Sequence, residues 1–132
     1  MELKQLQTDP ALEQDGAWLD FDAETSFLIG SPNSRRYKEA FRREREELRK
    51  RTRFPTDEEA EALNIRVYAR TIVLGWKGMT NDGKPFDYTP ENAELVLKTC
   101  PSVRDFVFLS ASNIENFRRQ LTEEAKATLG ES

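Results

Sequence analysis

Apolar and polar residues alternate along the segment that begins at Ala17. Ala17, Leu19 and Phe21 fall on one side of an extended chain, and Phe27 and Ile29 continue an apolar face after a short polar stretch. Two strands at this spacing predict a β-hairpin, which needs another element packed on it to be stable. An element from elsewhere in the chain is therefore expected to pack on the hairpin.

Apolar positions three and four residues apart predict about four helices after the hairpin. The first runs from about Asn33 to Arg51. The second starts at the capping box Thr56-Asp57-Glu58-Glu59 and is expected to continue to about Leu74. Within it, residues 65–73 also fit a strand, because β-branched residues alternate there with Arg and Tyr. Helix is favoured, and the strand stays open as an alternative.

The remaining pattern predicts a loop and two more helices. Gly75 to Tyr88 is expected to be a loop, and Thr89-Pro90-Glu91 is a strong helix start with threonine as cap and proline at the first position. Ser102 is expected to cap the last helix, whose apolar residues continue to Leu121. The predicted fold class is α+β and mainly α. We expect residues 1–16 to form a flexible arm, residues 17–127 a single domain and residues 128–132 a tail.

Composition then narrows the chemistry. The 132 residues include no histidine and one cysteine, Cys100. Serine–histidine and cysteine–histidine nucleophile pairs are therefore excluded, and one cysteine supports neither an intrachain disulfide nor a structural zinc site. Hydrophobic residues make up 37% and charged residues 33% of the chain, which indicates a thin core. No apolar run is long enough to span a membrane and no signal-peptide core is present, so we expect a cytoplasmic protein. No motif points to a cofactor, and we expect none.

Charge is segregated in a way that the net value of −4 hides. Residues 35–53 hold ten basic and four acidic side chains, whereas residues 1–34 hold one basic and seven acidic. The candidate partner or oligomer surface comprises arginines of this basic helix and two apolar residues off the stripe of the last helix, namely Arg35, Arg36, Arg42, Arg43, Arg45, Arg49, Phe108 and Leu109. A solvated helix face is the simplest interpretation. An acidic protein or a second copy of the chain is favoured over a nucleic acid, which the otherwise acidic chain would repel.

Paired carboxylates are the other candidate site. Asp20 and Asp22 share one face of the first predicted hairpin strand, and Asp82 and Asp87 flank a glycine in the loop. A hard cation or a general acid–base pair uses such groups. The loop lacks the ligand spacing of a calcium site, so turn formation and a solvent-facing strand are the favoured explanations.

The order of elements, together with two short motifs, resembles the tail assembly chaperones of long-tailed bacteriophages. The motifs are Gly75-Trp76 after the long helix and Asp82-Gly83-x-Pro85 followed by Tyr88-Thr89-Pro90-Glu91-Asn92-Ala93. The similarity covers roughly residues 17–119. Within these motifs, Trp76, Asp82, Gly83, Pro85, Tyr88 and Pro90 are taken as structural landmarks.

The resemblance implies a non-enzymatic assembly factor. Such proteins bind the tail tape measure protein, keep it soluble, help recruit tail tube protein and leave before the virion is complete. It also implies self-association, action in the host cytoplasm and, in many phages, a longer frameshifted product. The alternatives are a small DNA-binding regulator that uses the Arg-rich helix 35–53 and a carboxylate-dependent metal enzyme.

Overall fold

The fold is given by a computed structural model that describes residues 2–118. In chain order it contains α1 (Leu3–Leu6), α2 (Pro10–Asp15), β1 (Ala17–Asp20), β2 (Ser26–Ile29), α3 (Arg35–Arg51), α4 (Asp57–Thr71), β3 (Val73–Lys77), β4 (Thr80–Asn81), β5 (Lys84–Pro85), α5 (Pro90–Thr99), α6 (Pro101–Ser112) and a 3-10 helix (Ile114–Phe117). The predicted α+β, mainly helical class is confirmed. The domain end at residue 127, the tail 128–132 and the expected helical residue Leu121 lie outside the described residues.

The predicted hairpin is present and gains a third strand. β1 pairs antiparallel with β2, and β2 pairs antiparallel with β3, with Phe27 opposite Trp76. The extension of the second helix to Leu74 was therefore wrong. That helix, α4, ends at Thr71. After Ile72 the chain continues as the strand β3, which pairs with the free edge of β2. Both alternatives for residues 65–73 thus hold in part, with helix up to Thr71 and strand from Val73.

Side chains cap three of the long helices, and two of these caps, Thr56 and Thr89, were predicted. The hydroxyls of Ser34, Thr56 and Thr89 accept hydrogen bonds from the backbone N–H groups that start α3, α4 and α5. The predicted Ser102 cap was wrong, because α6 already begins at Pro101, immediately after α5, without a side-chain cap. α6 also ends at Ser112, earlier than the continuous helix expected from the sequence, and a 3-10 turn follows.

The loop expected between Gly75 and Tyr88 is largely extended. After β3, the strands β4 and β5 form a small hairpin with Asp82 and Gly83 in its turn, both at positive φ (52° and 75°). Positive φ at both central residues is the geometry of the two-residue turns that suit the twist of a hairpin. Turn formation at Asp82 was predicted, and the strands on either side were not.

The core lies between the sheet and the helices α4, α5 and α6. Phe27 and Ile29 enter it from β2, and Phe117 closes it from the 3-10 helix. The other buried members come mainly from one side of each helix, namely Ile65, Ala69, Ile72, Val73, Ala93, Val96, Leu97, Val103, Val107 and Ala111. α3 contributes only Ala40 and Leu48 as buried apolar residues. It therefore packs on the outside of the domain.

The segment before Ala17 differs from the expected loose arm. α1 has no buried residue, but α2 packs on the domain, and Leu12 contacts the core. The Asp9 N–H donates to the Phe117 carbonyl at 2.7 Å. Glu13 is buried, although it is charged. The N-terminal segment is thus fixed to the body from about Thr8 onward.

Candidate interaction surface on the α3–α4 helical hairpin

The arginines predicted from the basic segment fall on two flanks of α3. Arg42, Arg45 and Arg49 follow a spacing of three and four residues, which places them on one face with Lys38. We call Lys38, Arg42, Arg45 and Arg49 the outer stripe. Arg35, Arg36 and Arg43 instead line a groove between α3 and α4, together with two arginines of α4, Arg66 and Arg70. The predicted surface is therefore divided into two.

The packing of α3 explains this division. Ala40 and Leu48 are buried, and Tyr37 and Phe41 are half-buried beside them. These four residues form one apolar stripe along the helix, and they face inward. The outer stripe consequently points to solvent along about 16 Å of helix, since each residue adds about 1.5 Å.

The outer stripe is positively charged without internal compensation. Within residues 2–118 no carboxylate lies within 4.0 Å of Arg42, Arg45 or Arg49, although Arg35 pairs with Glu39 at 2.9 Å on the neighbouring flank. Lys38 donates to Asn33 Oδ1 at 3.2 Å. The Arg45 guanidinium lies 5.9 Å from the centre of the Phe41 ring, within the range of a cation–π contact.

A row of half-buried aromatic rings runs from this stripe to α6. The ring centres of Phe41 and Tyr37 are 5.8 Å apart, those of Tyr37 and Tyr68 are 5.7 Å apart, and those of Tyr68 and Phe108 are 4.5 Å apart. Burial raises the pKa of the Tyr37 and Tyr68 phenols above the usual value. Phe108 thus packs edge-on against Tyr68 within the chain and is only partly accessible. Its neighbour Leu109 is 72% exposed.

Phe54 is a candidate that the sequence analysis missed. It lies in the turn between α3 and α4 and is 82% exposed, the largest fraction among the exposed large hydrophobic residues described. The Arg53 guanidinium lies 5.9 Å from the centre of its ring. Phe54 falls between the first two predicted helices, where no periodicity indicates whether a side chain is exposed. The available signal was an aromatic residue next to proline, where neither helix offers it a packing partner.

The landmark residues of the motifs have structural contacts. Trp76 stacks on Phe86 with ring centres 5.9 Å apart, and its indole N–H donates to the Phe86 carbonyl at 2.8 Å. The Tyr88 hydroxyl donates to the Val73 carbonyl at 2.7 Å, and burial raises its pKa. Pro85 lies in β5, and Pro90 is the first residue of α5. Together with the Asp82–Gly83 turn, these contacts attach the small hairpin to the three-stranded sheet.

The paired carboxylates form local hydrogen bonds. Asp20 accepts from the Ser26 hydroxyl at 2.7 Å, across β1 and β2. Asp22 accepts from the backbone N–H groups of Glu24 and Thr25, and these bonds lower its pKa. In the part of the chain that the structure describes, no group of three or more His, Cys, Asp or Glu residues is placed to hold a metal ion. Over the same residues, no helix is both long and apolar enough to cross a membrane.

A comparison with protein families gives one informative result. The family model described as YdaY prophage protein matches residues 29–127, well over half of the chain. The chain belongs to the YdaY prophage protein family. No curated protein and no solved structure gives a match. The phage origin implied by the sequence resemblance is thereby confirmed, and the narrower relation to tail assembly chaperones remains a proposal.

The YdaY match covers the candidate surface. It begins at Ile29, the last residue of β2, so it includes α3, α4, Phe54 and both motifs, whereas β1 and the two N-terminal helices precede it. The outer stripe and the arginine groove therefore belong to the part of the chain that defines its YdaY membership. The buried Glu13 does not.

Proposed function

We propose that this YdaY-family protein is a non-enzymatic phage tail assembly chaperone that binds the tape measure protein and helps to recruit tail tube subunits. Two observations support the proposal from the sequence side: the resemblance carried by Gly75-Trp76 and the Asp82–Ala93 stretch, and the membership of a prophage family. Action in the host cytoplasm, self-association and absence from the finished virion follow as parts of the same proposal.

The observation that carries the proposal is the outer stripe with Phe54 at its end. Interfaces draw most of their affinity from a few aromatic and arginine side chains surrounded by weaker contacts. Here four cationic side chains lead along α3 to an aromatic ring that is 82% exposed and flanked by Arg53. A reversible partner is best served by such a surface, because charge speeds the encounter and a single anchor limits the lifetime of the complex.

The chemistry of this surface defines the segment of the tape measure protein that it fits. Uncompensated cations along about 16 Å of helix suit a helical segment with acidic side chains, at about 1.5 Å per residue. The Phe54 ring suits an apolar pocket at one end of that segment. We expect an amphipathic, acidic helix to bind along α3 in this way.

Co-expression with the candidate tape measure protein tests the proposal. The wild-type chain should keep the tape measure protein soluble and co-purify with it. Phe54→Ala should reduce the affinity by at least about tenfold, as expected when an interface anchor is truncated. Its stability should change by less than about 0.5 kcal/mol, because so little of the ring is buried.

Leu95→Ala is the matched control. Leu95 is an exposed apolar residue (51%) of α5, outside the helical hairpin. It should bind as the wild type does. A tape measure protein that stays insoluble beside the wild-type chain, or equal binding by Phe54→Ala and Leu95→Ala, would overturn the assignment of this surface.

A DNA-binding regulator that uses helix 35–53 is the second candidate, and the uncompensated outer stripe favours it. Phosphate contacts by Arg42, Arg45 and Arg49 would make duplex binding fall steeply as salt rises. The net charge of −10 outside residues 35–53 opposes this binding. Gel-shift titrations at low and moderate salt distinguish the two candidates: salt-sensitive duplex binding supports the regulator, and no binding at low salt eliminates it.

A further inference from the structure

A groove of about 470 Å³ between α3 and α4 gathers five arginines on its walls. Three come from α3 and two from α4, and two glutamates lie among them. The full lining is Gln14, Arg35, Arg36, Glu39, Ala40, Arg43, Glu44, Arg66, Val67, Arg70 and Thr71. None of the contacts proposed for the tape measure protein uses this groove, which opens on a different flank of α3 from the outer stripe.

The chain's own carboxylates neutralise only part of this charge. Arg35 pairs with Glu39 at 2.9 Å, and Arg66 pairs with Glu44 at 3.3 Å. Five arginines against two glutamates leave a charge of +3 within the groove. Repulsion among these like charges costs free energy unless a bound anion neutralises part of the charge.

The remaining three guanidinium groups have few partners. Arg36 donates to the Gln14 carbonyl at a long 3.4 Å, and Arg70 donates to the Arg66 carbonyl at 3.5 Å. Arg43 has no side-chain hydrogen bond or ion pair within residues 2–118. These three arginines therefore keep most of their donors available for a ligand.

The floor of the groove is small and rigid. Ala40, Val67 and Thr71 are buried at the contact of the two helices, and the Thr71 hydroxyl is already bonded to the Val67 carbonyl at 2.7 Å. Short side chains leave space above the floor, while the helices hold the arginines that surround it. Sites carried by regular elements keep their geometry better than sites on loops.

We propose that this groove binds a phosphate-class oxyanion with at least two adjacent negative charges, such as a pyrophosphate group. The guanidinium fork matches phosphate oxygens through pairs of parallel hydrogen bonds. Arg36, Arg43 and Arg70 supply three such forks around one small space. A diphosphate concentrates enough negative charge there to offset the excess, whereas a single carboxylate brings only one charge.

Calorimetric titration of the full chain with inorganic pyrophosphate at about 0.1 M ionic strength tests this proposal, with sodium chloride of equal ionic strength as the blank. Saturable binding at one site is expected. The double variant Arg43→Gln/Arg70→Gln should weaken it by at least about tenfold, since it removes charge-assisted hydrogen bonds from two forks. Arg42→Gln/Arg49→Gln removes the same charge from the outer stripe and should leave binding within about threefold of wild type, because exposed charges act weakly at a distance in salt.

A parallel titration with adenosine diphosphate identifies the source of the anion. Affinity equal to that of pyrophosphate indicates a site for the phosphate group alone, and higher affinity indicates a nucleotide. Heat no greater than the sodium chloride blank, or an equal loss in the two double variants, would overturn the proposal. Neither outcome depends on whether the tape measure protein binds, so the two proposals succeed or fail separately.

Discussion

Replacing the buried Glu13 by alanine should be among the most damaging single changes outside the apolar core. Its carboxylate accepts from the Thr8 hydroxyl at 2.8 Å, from Asn33 Nδ2 at 2.7 Å and from the Ser31 hydroxyl at 3.4 Å. The Ser31 N–H also donates to the Glu13 carbonyl at 3.1 Å. This one residue therefore attaches α2 to the segment that leaves β2 and starts α3.

The magnitude follows from these distances. Hydrogen bonds to a charged group contribute about 1.5–3 kcal/mol each, and two of the three are short. In the variant, water can hydrate the polar groups of Thr8 and Asn33, so the lower end of this range applies to each of the two short hydrogen bonds. Glu13→Ala should therefore lower the free energy of unfolding by about 3 kcal/mol. Glu13→Gln keeps the side-chain length but turns an amide N–H₂ toward a donor, so about 1–2 kcal/mol is expected.

Urea unfolding followed by tryptophan fluorescence measures these changes. For a chain of this size the alanine variant should also melt roughly 10 °C lower. Asp15→Ala is the control, since Asp15 is an exposed carboxylate on the same helix and should change stability by less than about 0.5 kcal/mol. If Glu13→Ala costs less than about 1 kcal/mol, a hydrogen-bonded buried carboxylate does not hold the N-terminal segment, and the reasoning fails.

Two further predictions concern backbone geometry and alkaline pH. Gly78→Ala should cost about 2–4 kcal/mol, because Gly78 has a φ of +80° and a Cβ there would overlap the Glu24 carbonyl oxygen. Gly83→Ala, at a φ of +75° with open space around it, should cost only about 1–2 kcal/mol, so equal losses in urea unfolding would refute the proposed clash. Burial raises the pKa of the Tyr37 and Tyr68 phenols in the folded chain, so these phenols lose their protons first in the unfolded chain. The stability of the folded chain is therefore unaffected below about pH 10 and falls as the pH rises through the raised pKa values. Unfolding midpoints measured across this range should fall less steeply for Tyr37→Phe/Tyr68→Phe than for the wild type, and identical slopes would contradict the assignment.

Local sequence signals predicted the parts of the fold that depend on local interactions. The caps at Thr56 and Thr89 each bond within three residues along the chain, and the hairpin strands β1 and β2 are neighbours in sequence. β3 depends instead on pairing with β2, which lies more than forty residues earlier. Helical spacing continues locally through Leu74, and the alternation at residues 65–73 left a strand open without indicating where it begins.

The N-terminal segment shows the same limit for a polar residue. Glu13 stands between a proline and a glycine in a polar stretch, which suggested a solvated arm. Two of its donors come from Ser31 and Asn33, eighteen and twenty residues further on. A charged residue becomes buried only when such donors surround it, and their convergence is a property of the fold and not of the local pattern.

The candidate surface was predicted in composition but not in layout. The charge pattern of the sequence indicated the arginines of residues 35–53. It did not indicate that some of them line a groove, because the opposite wall of that groove is formed by Arg66 and Arg70 of α4. Phe108 was expected at an interface because it falls off the main stripe of its helix, but Tyr68 of α4 provides a contact within the chain. Phe54 was missed because it falls between two helices, where no periodicity indicates whether a side chain is exposed.

The distribution of arginines on α3 follows from how little of this helix is buried. Only Ala40 and Leu48 are buried apolar residues in a helix of seventeen residues, so most of its positions are free to carry charge. A helix held by so few core contacts gains little stability from its nine basic side chains, because exposed ion pairs contribute only about 0–1 kcal/mol each. Folding alone therefore does not account for the uncompensated arginines. Their separation onto two flanks, one open along the helix and one lining a groove, fits the two proposals, an acidic helix on the first flank and an oxyanion on the second.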